Sequence, residues 1–327
     1  MKRIAVTSRS FSRHPVLREE LIVAHPEAQI TFNDEGLSLV GDALIAYLRG
    51  HEMAITALEP IDAGILAALP DLRVISKYGV GFDMLDLDAL RARGLRLGWT
   101  GGVNKRSVSE LVISTAIGLL RHVLALNAEV RDGTWHQRVG SHLSARTVGI
   151  VGCGHVGQDL ARLLCAFGCR VLAFDIRQLP GTVRQLGVEP TELDRLLRES
   201  DVVTLHLPKD PSTENMITAD RLALMKPGAI LINMARGGLV DEAALKSALS
   251  NGRLAGAALD VFAEEPPGDS ELINMPNVIV TPHIGGSAEE AILNMGRAAI
   301  LGLTENLVPK PGIHPEGYGG YRGRADI

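Results

Sequence analysis

The stretch Arg146–Gly157, RTVGIVGCGHVG, decides how the chain is read. Thr147–Val151 is short and mostly apolar, as expected of a strand buried on both faces. It runs into Gly152-Cys153-Gly154-His155-Val156-Gly157, a G-x-G-x-x-G, and an amphipathic stretch to Phe167 follows. Gly152 suits a tight turn, Gly154 a close approach of phosphate to backbone, and Gly157 tight helix–strand packing. The helix start adds free N–H groups and a favourable dipole for an anion. A second strand, Arg170–Phe174, ends at Asp175 and Ile176; 175 − 157 places the acid 18 residues past the last glycine. An acid there accepts from a ribose 2′-hydroxyl and repels a 2′-phosphate, which favours NAD over NADP. Arg177 close by softens that preference. On this evidence alone, a ligand-free turn and an S-adenosylmethionine-type nucleotide site stay open.

Outward from this stretch, short apolar runs alternate with amphipathic ones. Strands are expected at Arg3–Thr7, Met53–Ala57, Leu72–Ser76 and Leu95–Gly98, then at Thr147–Val151, Arg170–Phe174, Val202–Leu205, Ala229–Asn233, Leu254–Leu259 and Val278–Val280. Helices are expected at Pro15–Ala24, Asp86–Arg93 and Ser287–Asn306, with one long helix over Asn104–Val130. The alternation predicts an α/β protein with two doubly wound parallel-sheet domains. Gly101-Gly102 and Gly285-Gly286 are the expected hinges. They divide the chain into residues 1–101 with 287–327, and residues 102–286. The Gly-, Pro- and Arg-rich tail Pro309–Ile327 is expected to be irregular.

Composition narrows the function. The 327 residues are 46% hydrophobic and 22% charged, with a net charge of −5 and 4% aromatics. That balance offers no general attraction to nucleic acid or anionic lipid and few base-stacking platforms. No apolar signal core follows Met1-Lys2-Arg3, and no apolar stretch reaches bilayer length. Three cysteines, Cys153, Cys165 and Cys169, make no disulfide framework and lack metal-ligand spacing, so a reducing cytoplasm and no metal are expected.

Charged groups stand at or just past three predicted strand ends in the second half. Ala229–Ala235 leads to Arg236, Leu254–Leu259 to Asp260 and the Glu264-Glu265 pair, and Val278–Val280 to His283. Ligands bind at the C-terminal edge of a parallel sheet. Hydride transfer at an alcohol carbon needs a proton acceptor, which His283 can be. A glutamate beside it would orient the ring and stabilise the imidazolium, and Arg236 could grip a carboxylate and polarise a carbonyl. The residues alone do not say which glutamate acts.

Six stretches, SKYGVGFDMLD, VGIVGCGHVGQ, LHLPKDPSTENMI, LINMARGGLVDEAAL, AALDVFAEEPP and NVIVTPHIGGS, are spread across most of the span 72–287. In content and order they resemble the D-isomer-specific 2-hydroxyacid dehydrogenases. The resemblance implies a flavodoxin-like substrate domain plus a Rossmann NAD-binding domain, with a catalytic set of Arg236, Glu265 and His283. Glu265 is selected because it directly precedes Pro266. The resemblance also implies substrate-carboxylate donors at Val80 and Gly81. Further cofactor contacts are implied at Gly152, Gly154, His155, Val156, Gly157, Asp175, Ile176, Pro208, Thr213, Ala235, Asp260 and Gly285. Arg9 and Lys77 are expected to face the substrate and hold a phosphate or second acidic group. The chain stops soon after its final helix, so feedback by serine through an added regulatory domain is not expected. A cytoplasmic homodimer acting on a small 2-hydroxy or 2-keto acid, 3-phosphoglycerate-like or glycerate/hydroxypyruvate, is the expected whole. An NAD-sensing corepressor of the same fold is the alternative.

Overall fold

The computed structural model describes residues 1–144, 146–268 and 271–310. From residue 311 onward the expected irregular tail lies outside the described residues. The chain forms two compact units, Met1–Asn104 with Glu289 onward, and Lys105–Ala288. The crossings fall three and two residues beyond positions 101 and 286.

In the first unit, β1 (Arg3–Val6), β2 (Gln29–Phe32), β3 (Met53–Thr56), β4 (Val74–Lys77) and β5 (Arg96–Gly98) form one sheet in the order β2-β1-β3-β4-β5. Every paired strand is parallel, and the order is the flavodoxin-like one. Ile4, Ala5, Val6 and Ile55 are fully buried, since helices cover both faces. The helix Glu289–Gly302 completes this unit. Ser76 Oγ donates to Ala299 O at 2.6 Å, and Gly302 lies so close to β5 that a side chain on Gly98 would overlap its backbone.

The second unit holds β6 (Thr147–Val151), β7 (Arg170–Phe174), β8 (Glu189–Pro190), β9 (Val202–Leu205), β10 (Ala229–Asn233), β11 (Leu254–Leu259) and β12 (Val278–Val280). Their order, β12-β11-β10-β9-β6-β7-β8, is the Rossmann order extended by one strand. The point where that order reverses lies between β6 and β9, beside the glycine turn.

Two expectations fail for identifiable reasons. The long helix is broken into Lys105–Leu120 and Val123–Arg131, bent by 62°. His122 sits between them in the left-handed region at φ 55°, a break that no proline or glycine announced. The edge strands β2 and β8 were not foreseen. β2 buries none of its residues fully, and β8 is two residues long and contains a proline, so neither carries a buried strand's pattern. Among the described residues no single helix is long and apolar enough to cross a membrane.

Candidate active site

The glycine turn is shaped by what its residues lack. Gly152 has φ 95°, and a side chain there would overlap the His206 carbonyl. A side chain on Gly157 would overlap the Gly152 carbonyl, so this glycine lets the helix His155–Ala166 start against the turn itself. Gly154 differs: a Cβ there meets nothing nearer than Arg177 Nη2 at 3.8 Å. It caps the helix without a side-chain hydrogen bond. The space in front of it fits a dinucleotide pyrophosphate facing a helix N-terminus.

Asp175 closes the turn from the neighbouring strand. Its Oδ2 accepts from Cys153 N at 2.8 Å, and Oδ1 accepts from Arg177 N at 2.9 Å and Nε at 3.2 Å. Ile176 beside it is 56% exposed and can cover an adenosine. Burial, with Lys105 and Arg177 adding, pushes the His155 imidazole below its ordinary value, while Val156 packs against the core. Behind the turn, Arg106 Nε and Nη2 each hold an Asp159 oxygen at 2.9 Å, tying the helix Lys105–Leu120 to the coenzyme helix. Burial alone would raise the Asp159 carboxyl, but the hydrogen bond and charge of Arg106, with Ser109 and Lys105 adding, together outweigh it and hold the group below its usual range.

The ends of β10, β11 and β12 bring the second set of residues to the same sheet edge. His283 Nδ1 and Glu265 Oε2 are 2.8 Å apart, and Glu265 Oε1 accepts from Phe262 N at 3.1 Å. Both side chains stay open to solvent, at 45% and 37% exposure, so a ligand can reach them. Glu264 is exposed. Arg236 follows β10, and Asn233 fixes its backbone: Nδ2 donates to Arg236 O at 2.8 Å and Oδ1 accepts from Ala235 N at 3.1 Å. The next residue, Gly237, presses on the loop that leads to Glu265. A side chain there would overlap the Phe262 carbonyl. Sequence reading missed Gly237; the Arg-Gly-Gly run was its only signal.

His283 itself has φ 54°, a left-handed conformation that costs a side-chain-bearing residue about 1 kcal/mol. Such strain persists where surrounding contacts over-determine it, and it clusters at functional sites.

Several of the expected contact residues are also engaged within the protein. Thr213 is fully buried and spends its hydroxyl within its own loop, donating to Pro208 O at 2.8 Å and accepting from Asp210 N at 2.9 Å. It shapes the loop that presents the exposed Pro208. Asp260 is 1% exposed, and its carboxylate serves the 281–285 turn, with Gly285 N donating to Oδ2 at 2.7 Å. Lys77 is 3% exposed, its ammonium turned onto the carbonyls of Ala57 and Tyr78, because it is the last residue of a strand buried on both faces. Arg9 is exposed at the start of the helix Arg9–Arg13. Val80 and Gly81 are half-buried after β4, with Val80 O accepting from Trp99 Nε1 at 2.9 Å.

Sheet order, switch point and glycine turn together define a Rossmann-type dinucleotide-binding protein. Residues 113–285 match the family described as D-isomer specific 2-hydroxyacid dehydrogenase, NAD binding domain. The chain belongs to that family. It is 34% identical over 266 residues to the hydroxypyruvate reductase of Thermotoga maritima, covering 80% of this chain and 85% of that one. It is 40% identical over 250 residues to the D-3-phosphoglycerate dehydrogenase of Mycobacterium tuberculosis, covering 76% of this chain and 47% of the relative. The chain thus spans about half the length of such curated relatives. Among solved structures, D-lactate dehydrogenase from Aquifex aeolicus, complexed with NAD and lactic acid, superposes with TM-score 0.79 at 26% identity. It covers 92% of this chain and 93% of that one.

Proposed function

We propose that the protein is an NAD-dependent oxidoreductase that interconverts a small D-2-hydroxy acid and its 2-keto acid. The observation that carries this reading is the His283–Glu265 pair at 2.8 Å, on the sheet edge that also bears the glycine turn. With Nδ1 donating to the glutamate, the lone pair of the neutral ring lies on Nε2. That nitrogen takes the hydroxyl proton during oxidation and returns it during reduction, and the Glu265 carboxylate stabilises the imidazolium between the two events. Arg236 offers a fixed positive fork for the substrate carboxylate and carbonyl. On the first unit's own sheet edge, the Val80 and Gly81 amides are the proposed carboxylate donors. The Gly152–Gly157 turn and Asp175 would hold NAD, whose nicotinamide supplies the hydride acceptor.

The proposed substrates are 3-phosphoglycerate-like acids or glycerate/hydroxypyruvate. With Lys77 buried, the exposed Arg9 is the proposed phosphate contact. The protein is further proposed to be a cytoplasmic homodimer with neither nucleic acid nor membrane as partner. The helix Val123–Arg131 buries none of its residues. Val123, Leu124 and Val130 are about half exposed, Trp135 is 79% exposed and Val139 97%. That apolar surface suits a second copy of the chain.

Purified protein with NADH and a panel of hydroxypyruvate, glyoxylate and phosphohydroxypyruvate tests the reading. Keto-acid-dependent oxidation of NADH is expected. Tight NADH binding with no turnover on any acid would overturn it in favour of a sensor. Loss of activity on the phosphorylated acid alone in Arg9→Ala would identify the phosphate contact.

A further inference from the structure

We infer that Asp260 is a positioning residue whose carboxylate latches the 281–285 turn and so holds the His283 imidazole on Glu265. The inference rests on the dehydrogenase reading above and adds a residue to it. Asp260 directly follows β11 and is 1% exposed. Its Oδ1 accepts from Thr281 Oγ1 at 2.6 Å and from Ile284 N at 2.7 Å, and its Oδ2 accepts from Gly285 N at 2.7 Å. Its backbone carbonyl accepts from His283 N at 2.9 Å. One residue therefore holds the turn two residues before His283, at His283, and at both following residues. The left-handed backbone of His283 lies inside that grip. There is no slack behind it either, since a side chain on Gly285 would stand 3.0 Å from Oδ2.

The chemistry requires a carboxylate. Three donors converge on a group that can only accept. An asparagine keeps one acceptor oxygen and must turn its NH₂ towards at least one of them. The charged group against the His283 ring is Glu265. If the turn relaxes, the imidazole moves relative to that carboxylate, and both proton transfer and its pH dependence change. The other role open to Asp260, an acceptor for the nicotinamide amide, would appear in coenzyme affinity instead.

The test compares Asp260→Asn and Thr281→Val with wild type. Thr281→Val removes one donor, keeps its volume and leaves Asp260 in place. The expected result is a kcat lower by about 30-fold or more in Asp260→Asn and by about fivefold in Thr281→Val. The acid limb of the kcat profile should shift in both variants, and the Kd for NADH, read by fluorescence, should stay within about twofold of wild type. Unchanged kcat and pH profile in both variants would overturn the latch. A raised Kd for NADH with kcat at saturation unchanged would overturn it too, giving Asp260 to the coenzyme. If wild type turns over no keto acid, the dehydrogenase reading falls separately. The latch is then decided by the NMR titration of the His283 imidazole: a shift between wild type and Thr281→Val supports it, and superimposable curves end it.

Discussion

The turn after β6 and the turns after β10, β11 and β12 occupy one edge of one sheet, yet they are built by opposite means. The first is made by missing side chains, with Gly152 and Gly157 fitting where a Cβ would strike a carbonyl and Gly154 facing open space. The second is made by added ones: Asp260, Thr281, Asn233 and Glu265 cross-link it through hydrogen bonds. A surface that must receive a large flat ligand is best left as bare backbone. A surface that must move one proton in a fixed direction needs its donor and acceptor locked. Gly237 is where the second set borrows the device of the first.

Breaking the cross-linked side should have the largest effect. His283→Asn keeps a residue tolerant of the left-handed region but removes the proton carrier. General acid–base catalysis contributes roughly 10²–10⁴-fold, so kcat should fall about a thousandfold with the melting temperature little changed. Steady-state kinetics beside a thermal melt would show it. Next comes Gly237→Ala, which must push the Arg236 turn off the Phe262 carbonyl. A displacement of about 1 Å can cost roughly 10²-fold in rate, here with NADH affinity retained.

The coenzyme side sharpens the contrast through a pair of equal substitutions. Gly157→Ala overpacks the turn and should lower stability by about 1–3 kcal/mol in urea unfolding. Gly154→Ala has space and should change stability by less than about 0.5 kcal/mol, while weakening NADH binding at least about tenfold, because its methyl group occupies the phosphate's place. Equal stability losses in the two variants would contradict the distinction. The smallest effect concerns acid. The Asp159 carboxyl is held low in the folded state, so its contribution is present above the unfolded value of about 4 and lost as pH falls through the lower folded one. Urea midpoints between about pH 5 and pH 3 should therefore fall more steeply for wild type than for Asp159→Asn.

What could be read from the residues follows the same division. Strands buried on both faces announce themselves as apolar runs, and β6, β7, β9, β10 and β11 have the boundaries that their sequences suggest, as does the edge strand β12, whose apolar residues are half-buried or exposed. The glycine turn is legible because its requirements are local. The His283–Glu265 contact joins positions 18 residues apart and needed the resemblance to pick the second glutamate. Asp260 and Lys77, at strand ends, and Thr213, in the loop after β9, spend polar groups on the protein's own backbone, which the sequence does not announce. A polar residue at a strand end has the same sequence signature whether it faces a ligand or serves the turn beside it; burial separates the two, and burial is not written in a single chain. The break at His122 was hidden because left-handed backbone at a non-glycine residue is set by what packs around it.

The helix Glu289–Gly302 carries a consequence for biosynthesis. It closes the sheet whose strands begin at Arg3, pressing on β4 and β5 through Ser76 and Gly98. A chain emerging from the ribosome presents every strand of the Rossmann unit before that helix exists. The segment translated first must therefore wait as an unfinished sheet while the segment behind it folds. Chaperone dependence should concentrate on that waiting amino-terminal part.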